Sequence, residues 1–177
     1  MFLKGAITAL VTPMTENGDL DFDSLENLIN FQIESGISGI VAVGTTGESA
    51  TIDLKDHIRL IESFVKISNK RIPIIAGTGA NSTDEALTLT KSAESSGADA
   101  ALLVSPYYNK PPQEGIYAHH MKIADESNLP QILYNVPSRT ASFIESKTVS
   151  RLAKHQNIIG IKDATGEMEN IETLKSL

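Results

Sequence analysis

The chain contains no cysteine. That excludes a disulfide framework and thiolate metal sites, and it fits a reducing compartment. No run of about 18 apolar residues occurs, so no membrane-crossing helix is expected. The N-terminal stretch MFLKGAITALVTPMTENG has too short an apolar part, and no small-residue cleavage site, for a secretory leader. Pro13 followed by Asn17-Gly18 reads instead as a strand running into a turn. Basic residues are nowhere clustered and the formal net charge is -7, so nucleic acid is not an expected partner. An anionic ligand has to be met by locally placed positive groups, because the global field does not attract it. The four histidines show no metal-ligating spacing. His119 and His120 are neighbours on a predicted helix and point apart, while His57 and His155 read as isolated residues on helix surfaces.

What is present is ordinary globular composition. Of 177 residues, 41% are hydrophobic and 21% charged. A single domain of this size buries roughly 70% of its unfolded surface. Short runs rich in Val and Ile recur at Ala6 to Val11, Gly39 to Val43, Ile72 to Ala76, Ala100 to Val104, Gln131 to Tyr134 and Ile158 to Ile161. Between them lie helical spacings. Leu25, Leu28, Ile29 and Ile33 share one face, and Ile58, Ile61, Phe64 and Val65 another. Asp23 or Ser24 is a candidate N-cap for the first of these helices. Ser82 or Thr83, followed by Asp84 and Glu85, starts a further one. Gly36 and Gly97 stand where left-handed C-caps belong. Strands apolar on both sides alternating with helices predict a parallel sheet covered by helices. Six such strands make a complete doubly wound domain, whereas a (β/α)8 barrel takes about 250 residues. On length alone the doubly wound sheet fits.

Polar residues gather where the strands end, which in both architectures is where ligands bind. Lys162 follows the apolar run Ile158 to Ile161. It either reaches to solvent and pairs with Asp163, or serves as a nucleophile. Burial disfavours the ammonium form, and a free amine attacks a carbonyl to give a Schiff base. GTTGES after Val43 lacks the Lys-Ser/Thr ending of a nucleotide-binding loop. Its turn amides and the Thr45 and Thr46 hydroxyls suit a carboxylate. Tyr134 is either a core residue at a strand end or a proton shuttle with a neighbour such as Thr45. Tyr107 and Tyr108, in a proline-flanked loop, read as interface residues. Arg139 is either a surface residue or a clamp for a carboxylate at the mouth of a site.

These residues stand in GAITALVTP, VGTTGES, PIIAGTGAN, SPYYNKPPQEG, ILYNVPSRT and IIGIKDATG, in this order from Gly5 to Gly166. The set resembles the 4-hydroxy-tetrahydrodipicolinate synthase (dihydrodipicolinate synthase) family of pyruvate-dependent class I aldolase relatives. The resemblance implies that Lys162 forms a Schiff base with pyruvate and that Tyr134 is the general acid/base beside it. It implies that Thr45 and Tyr108 complete a hydroxyl relay, with Tyr108 reaching into a neighbouring subunit. Thr46 and its turn amides hold the pyruvate carboxylate, and Arg139 binds the second substrate, aspartate 4-semialdehyde. No cofactor and no metal are implied. A homotetramer built as a dimer of dimers, cytoplasmic location and a role in lysine (diaminopimelate) biosynthesis are. Lysine feedback is implied at Ser49, Ala50, His57, Asn81, Glu85 and Tyr107. Leu54 stands where inhibited bacterial members often carry a histidine, and it cannot hydrogen-bond the inhibitor.

Two relatives on the same scaffold, N-acetylneuraminate lyase and keto-deoxy-sugar aldolases, share the Lys162 and Tyr134 strands. The lyase usually has Ser at the place of Thr45 and lacks SRT, so Thr45 and Arg139 favour the synthase. The family fold is a (β/α)8 barrel with extra C-terminal helices. The resemblance therefore implies that residues 1–177 are the N-terminal part of one barrel domain, covering about the first six β/α units. The later strands and C-terminal helical region lie outside this chain. A truncated, non-catalytic piece that needs a partner chain is the alternative from a different class.

Overall fold

The computed structural model describes residues 3–176. Six strands form one sheet: β1 (Ile7–Ala9), β2 (Gly39–Ala42), β3 (Ile74–Gly77), β4 (Ala100–Val104), β5 (Gln131–Asn135) and β6 (Ile158–Asp163). All neighbouring pairs are parallel. The helices are α1 (Phe22–Glu34), α2 (Leu54–Ser68), α3 (Thr83–Ser96), α4 (Gln113–Glu126), the short α5 (Pro137–Thr140), α6 (Ser146–Leu152) and α7 (Met168–Ser176). Among the described residues no helix is long and apolar enough to cross a membrane.

Spatial order follows chain order, β1 to β6. A doubly wound sheet reverses its order at a switch point, so the architecture that length alone favours is not the one adopted. The chain forms six units of a (β/α)8 barrel wall. Side chains confirm this. One sheet face carries Ile40, Ala42, Ile74, Ala76, Ala101 and Leu103, which pack with helix residues such as Leu25, Ile29, Leu60 and Phe64. The other face, the barrel interior, is filled by strand residues: Val41, Ile75, Leu102, Ile132 and Tyr134. Each fully buried aliphatic or aromatic side chain stabilises the fold by about 1.5–3 kcal/mol relative to exposure.

Local signals mostly act as read. Asn17-Gly18 forms a turn closed by the antiparallel Met14–Leu20 bridge, with Gly18 at φ 86°. Gly36 and Gly97 take left-handed backbone after α1 and α3. Ser82 caps α3. The α1 cap is Asp21, not Asp23 or Ser24: its carboxylate accepts from Ser24 N at 3.0 Å and Ser24 Oγ at 2.6 Å. The histidines depart further from expectation. The buried face of α2 is His57, Leu60, Ile61, Phe64 and Ser68. His119 and His120 are also buried, with ring centroids 5.0 Å apart in edge-on contact. Strand β6 is less buried than its apolar sequence implies. It pairs with β5 alone among the described residues, and Ile159 is 44% exposed.

Candidate active site

The strand ends converge as the sequence implies. Lys162 on β6 stands in register with Tyr134 on β5, so parallel pairing puts both side chains on the interior face. The Lys162 Nζ lies 4.4 Å from the centroid of the Tyr134 ring. The amine is half-buried, and burial lowers its pKa from the ordinary lysine value. The desolvation comes from the interior face, where Ile7, Val41, Ile75, Leu102 and Ile132 line an apolar hollow that reaches Lys162.

Asp163 does not neutralise this amine. Its carboxylate accepts hydrogen bonds from Thr165 N at 3.0 Å, Thr165 Oγ1 at 2.6 Å and Asn170 Nδ2 at 2.6 Å. No carboxylate among the described residues forms an ion pair with Lys162. The aspartate instead fastens the strand end to α7, and consecutive side chains of a strand point to opposite faces.

In front of the amine is a cavity of about 120 Å³, lined by Gly44, Thr45, Thr46, Tyr134, Arg139 and Lys162 above Ala9, Val41 and Leu102. Thr45–Gly47 forms a single 3-10 turn directly after Gly44, and the opening N–H groups of such a turn have no partner within it. Arg139 sits on α5, whose first residue Pro137 presets the helical backbone. Arg139 is in no ion pair among the described residues. The cavity thus holds one amine, two hydroxyls, a phenol and a guanidinium. No group of three or more His, Cys, Asp or Glu among the described residues could hold a metal ion. Tyr108 does not join these groups: it is 86% exposed, with φ 74°, on the loop after β4.

A second cavity of about 290 Å³ adjoins the first, and Thr45 and Arg139 line both. Ser49, Ala50, His57, Glu85 and Tyr107 line it together with Glu48. Asn81 supports it from behind, its side-chain amide donating to the Tyr107 carbonyl. Leu54 is not part of the lining and is exposed. His57 is held by a 2.7 Å contact from Nε2 to the Gly77 carbonyl, and burial lowers its pKa.

Two features of this region escape a reading of the sequence. Val43 carries left-handed backbone at φ 51°, although it is β-branched. Gly77 and Gly79 are glycines because other backbone fills their missing side chains' space: a β-carbon on Gly77 would stand 2.8 Å from Val43 C, and one on Gly79 would stand 3.0 Å from Leu103 C. Paired glycines two apart after a strand are the one signal that points there.

A half-buried lysine on the sixth strand, in register with a tyrosine and facing a hydroxyl-rich turn across a small cavity, defines a parallel barrel wall with its candidate site at the C-terminal ends of the strands. A sequence model of the dihydrodipicolinate synthetase family matches residues 2–177, and the chain belongs to that family. It is 56% identical over 171 residues to a 4-hydroxy-tetrahydrodipicolinate synthase of Thermodesulfovibrio yellowstonii, covering 97% of this chain and 58% of the relative. The chain therefore spans about three fifths of the length of the curated relatives it matches. A solved structure of the chloride-inhibited dihydrodipicolinate synthase of Acinetobacter baumannii, complexed with pyruvate, superposes with a TM-score of 0.95 at 53% identity. The match covers 98% of this chain and 61% of that one. The enzyme of Cyanidioschyzon merolae with lysine bound gives 0.95 at 39% identity, covering 98% of this chain and 60% of that one.

Proposed function

We propose that Lys162 condenses with pyruvate, and that the complete barrel to which residues 1–177 contribute six β/α units joins that pyruvate to L-aspartate 4-semialdehyde. The product is 4-hydroxy-tetrahydrodipicolinate, a precursor in lysine biosynthesis. The observation that carries the reading is the partly desolvated Lys162 amine, in no ion pair among the described residues, facing the 120 Å³ cavity with Thr45, Thr46, Tyr134 and Arg139. The names of the relatives and the pyruvate complex of the Acinetobacter enzyme support the choice of keto acid.

The chemistry follows from the donor set. The neutral amine adds to the keto carbon of pyruvate, and loss of water leaves a protonated imine. That cation is an electron sink, so a methyl proton departs and an enamine forms. The enamine carbon bonds to the aldehyde carbon of the second substrate, whose oxygen takes up a proton. The substrate's own amine then attacks the imine carbon, closes the ring and releases Lys162. Tyr134 moves the protons at the imine, with Thr45 as its neighbour in the cavity. Thr46 and the turn amides hold the pyruvate carboxylate. Arg139, in no ion pair among the described residues, clamps the carboxylate of the aldehyde.

In the assembled enzyme, exposed Tyr108 completes the relay across a subunit boundary, and the protein works as a cytoplasmic homotetramer. The second cavity, with the Glu48 and Glu85 carboxylates and the Ser49, Ala50, His57, Asn81 and Tyr107 groups, takes lysine. The lysine-bound relative supports that assignment. The test is borohydride reduction of this chain in the presence of pyruvate. A mass gain on the peptide carrying Lys162, absent in Lys162→Ala, is the expected outcome. A folded chain that gains no mass rejects the reading.

A further inference from the structure

Directly before the Thr45–Thr46 turn lies a short stretch of packed backbone to which the proposed chemistry gives no role. Val43, the last residue before the GTTGES turn, is fully buried and left-handed at φ 51°. Backbone of that kind in a β-branched residue costs on the order of 1–3 kcal/mol and persists only where its surroundings impose it. Those surroundings are specific. The Val43 carbonyl is seated against the α-carbon of Gly77. A β-carbon there would overlap the Val43 oxygen, lie 2.8 Å from its carbonyl carbon and lie 2.9 Å from Gly44 Cα. All of these are backbone atoms, so no side-chain rotation relieves the overlap.

Gly77 is held in turn. His57 Nε2 lies 2.7 Å from its carbonyl oxygen in a buried contact. A carbonyl only accepts, so the ring proton sits on Nε2. The contact reaches the peptide from the α2 side, while Val43 presses on it from β2. Neither Gly77 nor His57 lines the Lys162 cavity.

We propose that Gly77 and His57 are positioning residues for the Thr45–Thr46 turn: the missing β-carbon of Gly77 leaves the Val43 carbonyl its seat, and His57 pins the peptide that forms the seat. This rests on the reading that the turn receives the keto acid's carboxylate. A methyl group at position 77 displaces Val43 and Gly44 and swings Thr45 and Thr46 relative to Lys162. The amine stays in place, because β6 is three strands away from β3. Capture of the carboxylate weakens, while imine formation at saturating keto acid is kept.

The test is borohydride trapping on Lys162 over a range of pyruvate concentrations, in the unmutated chain and in Gly77→Ala, His57→Phe and Gly160→Ala. Gly160 has open space around its missing β-carbon, so its variant controls for the change of residue type. Half-saturating pyruvate is expected to rise roughly tenfold in Gly77→Ala, the loss of about one charge-assisted hydrogen bond. A smaller rise is expected in His57→Phe and none in Gly160→Ala, with trapped yield at saturation unchanged in Gly77→Ala and Gly160→Ala. A fall in saturated yield with no change in half-saturation overturns the positioning role.

The amide chemical shifts of Thr45 and Thr46 read the same displacement without any keto acid. They move in Gly77→Ala and His57→Phe and stay fixed in Gly160→Ala. Absence of trapping in the unmutated chain therefore sinks the imine reading alone. Unmoved turn amides in a folded Gly77→Ala, or in His57→Phe where the first variant does not fold, sink the positioning role alone.

Discussion

Two opposed effects act on the Lys162 amine. The Tyr134 ring at 4.4 Å favours the cation, an attraction on the order of 0.5–2 kcal/mol according to how far the pair is desolvated. Burial on the interior face disfavours it and lowers the pKa. The sign has a measurable consequence. An amine with a depressed pKa is free at lower pH than an ordinary lysine. Borohydride trapping of pyruvate should rise with pH and level off below 10.5, the ordinary lysine value. A midpoint at or above that value means the amine is solvated like any surface lysine, and the nucleophile assignment falls with it. Lys162 is legible in the sequence because an ammonium that ends an apolar run is costly to desolvate, and that cost marks the position. Val43 is not legible, since nothing in a one-dimensional pattern marks a strained φ; the residue whose missing side chain makes room for its carbonyl, Gly77, stands more than thirty residues further on.

At the scale of elements, the apolar runs locate the strands within one or two residues of their observed ends, because period and β-branching are local. Faces of helices are less legible. His57 shares the buried face of α2 with Ile61 and Phe64, and His120 shares that of α4 with Ile116, Ile123 and Ala124. The spacing is there to read, but a histidine is ordinarily polar and so reads as a surface residue. Burial has changed it: His119 is lowered to about 4, and His120 to about 3, the latter by burial first and by its neighbour second. His119 Nδ1 meets Thr83 Oγ1 at 2.8 Å, while its Nε2 and both ring nitrogens of His120 have no partner among the described residues.

For a histidine depressed in the folded state, stability is fully present above the unfolded value near 6.5. It is lost as pH falls from there toward the folded value. At pH 5 the loss is about 2 kcal/mol for each of the two rings. Denaturant titrations at pH 7 and pH 5 should therefore show a gap that shrinks by about that amount in His120→Leu. An unchanged gap means that His120 is not held neutral in the fold.

For the molecule as a whole, alternation of strand and helix does not decide between a doubly wound sheet and a barrel wall. Both bury strands on two faces, so both write the same apolar runs. What separates them is strand order and what fills the second face. In this chain, order follows sequence, and the interior face is packed mainly by strand residues. The family motifs carry that information; the hydrophobic pattern does not. The same arrangement sets a gradient of protection. Among the described residues, strands β2, β3 and β4 have two neighbours each, whereas β6 has one and α7 buries no residue. Native-state hydrogen exchange should find the slowest amides in β2 to β4, with β6 faster by orders of magnitude. Equal protection in β3 and β6 would show that another polypeptide covers the β6 edge in solution.

One peptide unit, at Gly77, touches both neighbourhoods: its carbonyl meets His57, which lines the larger cavity, and its α-carbon meets the backbone of Val43 and Gly44, the latter lining the smaller one. If Gly77 positions the turn as proposed, substitutions around the larger cavity will register as altered keto-acid capture in the smaller one, and variants selected for altered capture will carry substitutions that look, on a map, as though they belong next door.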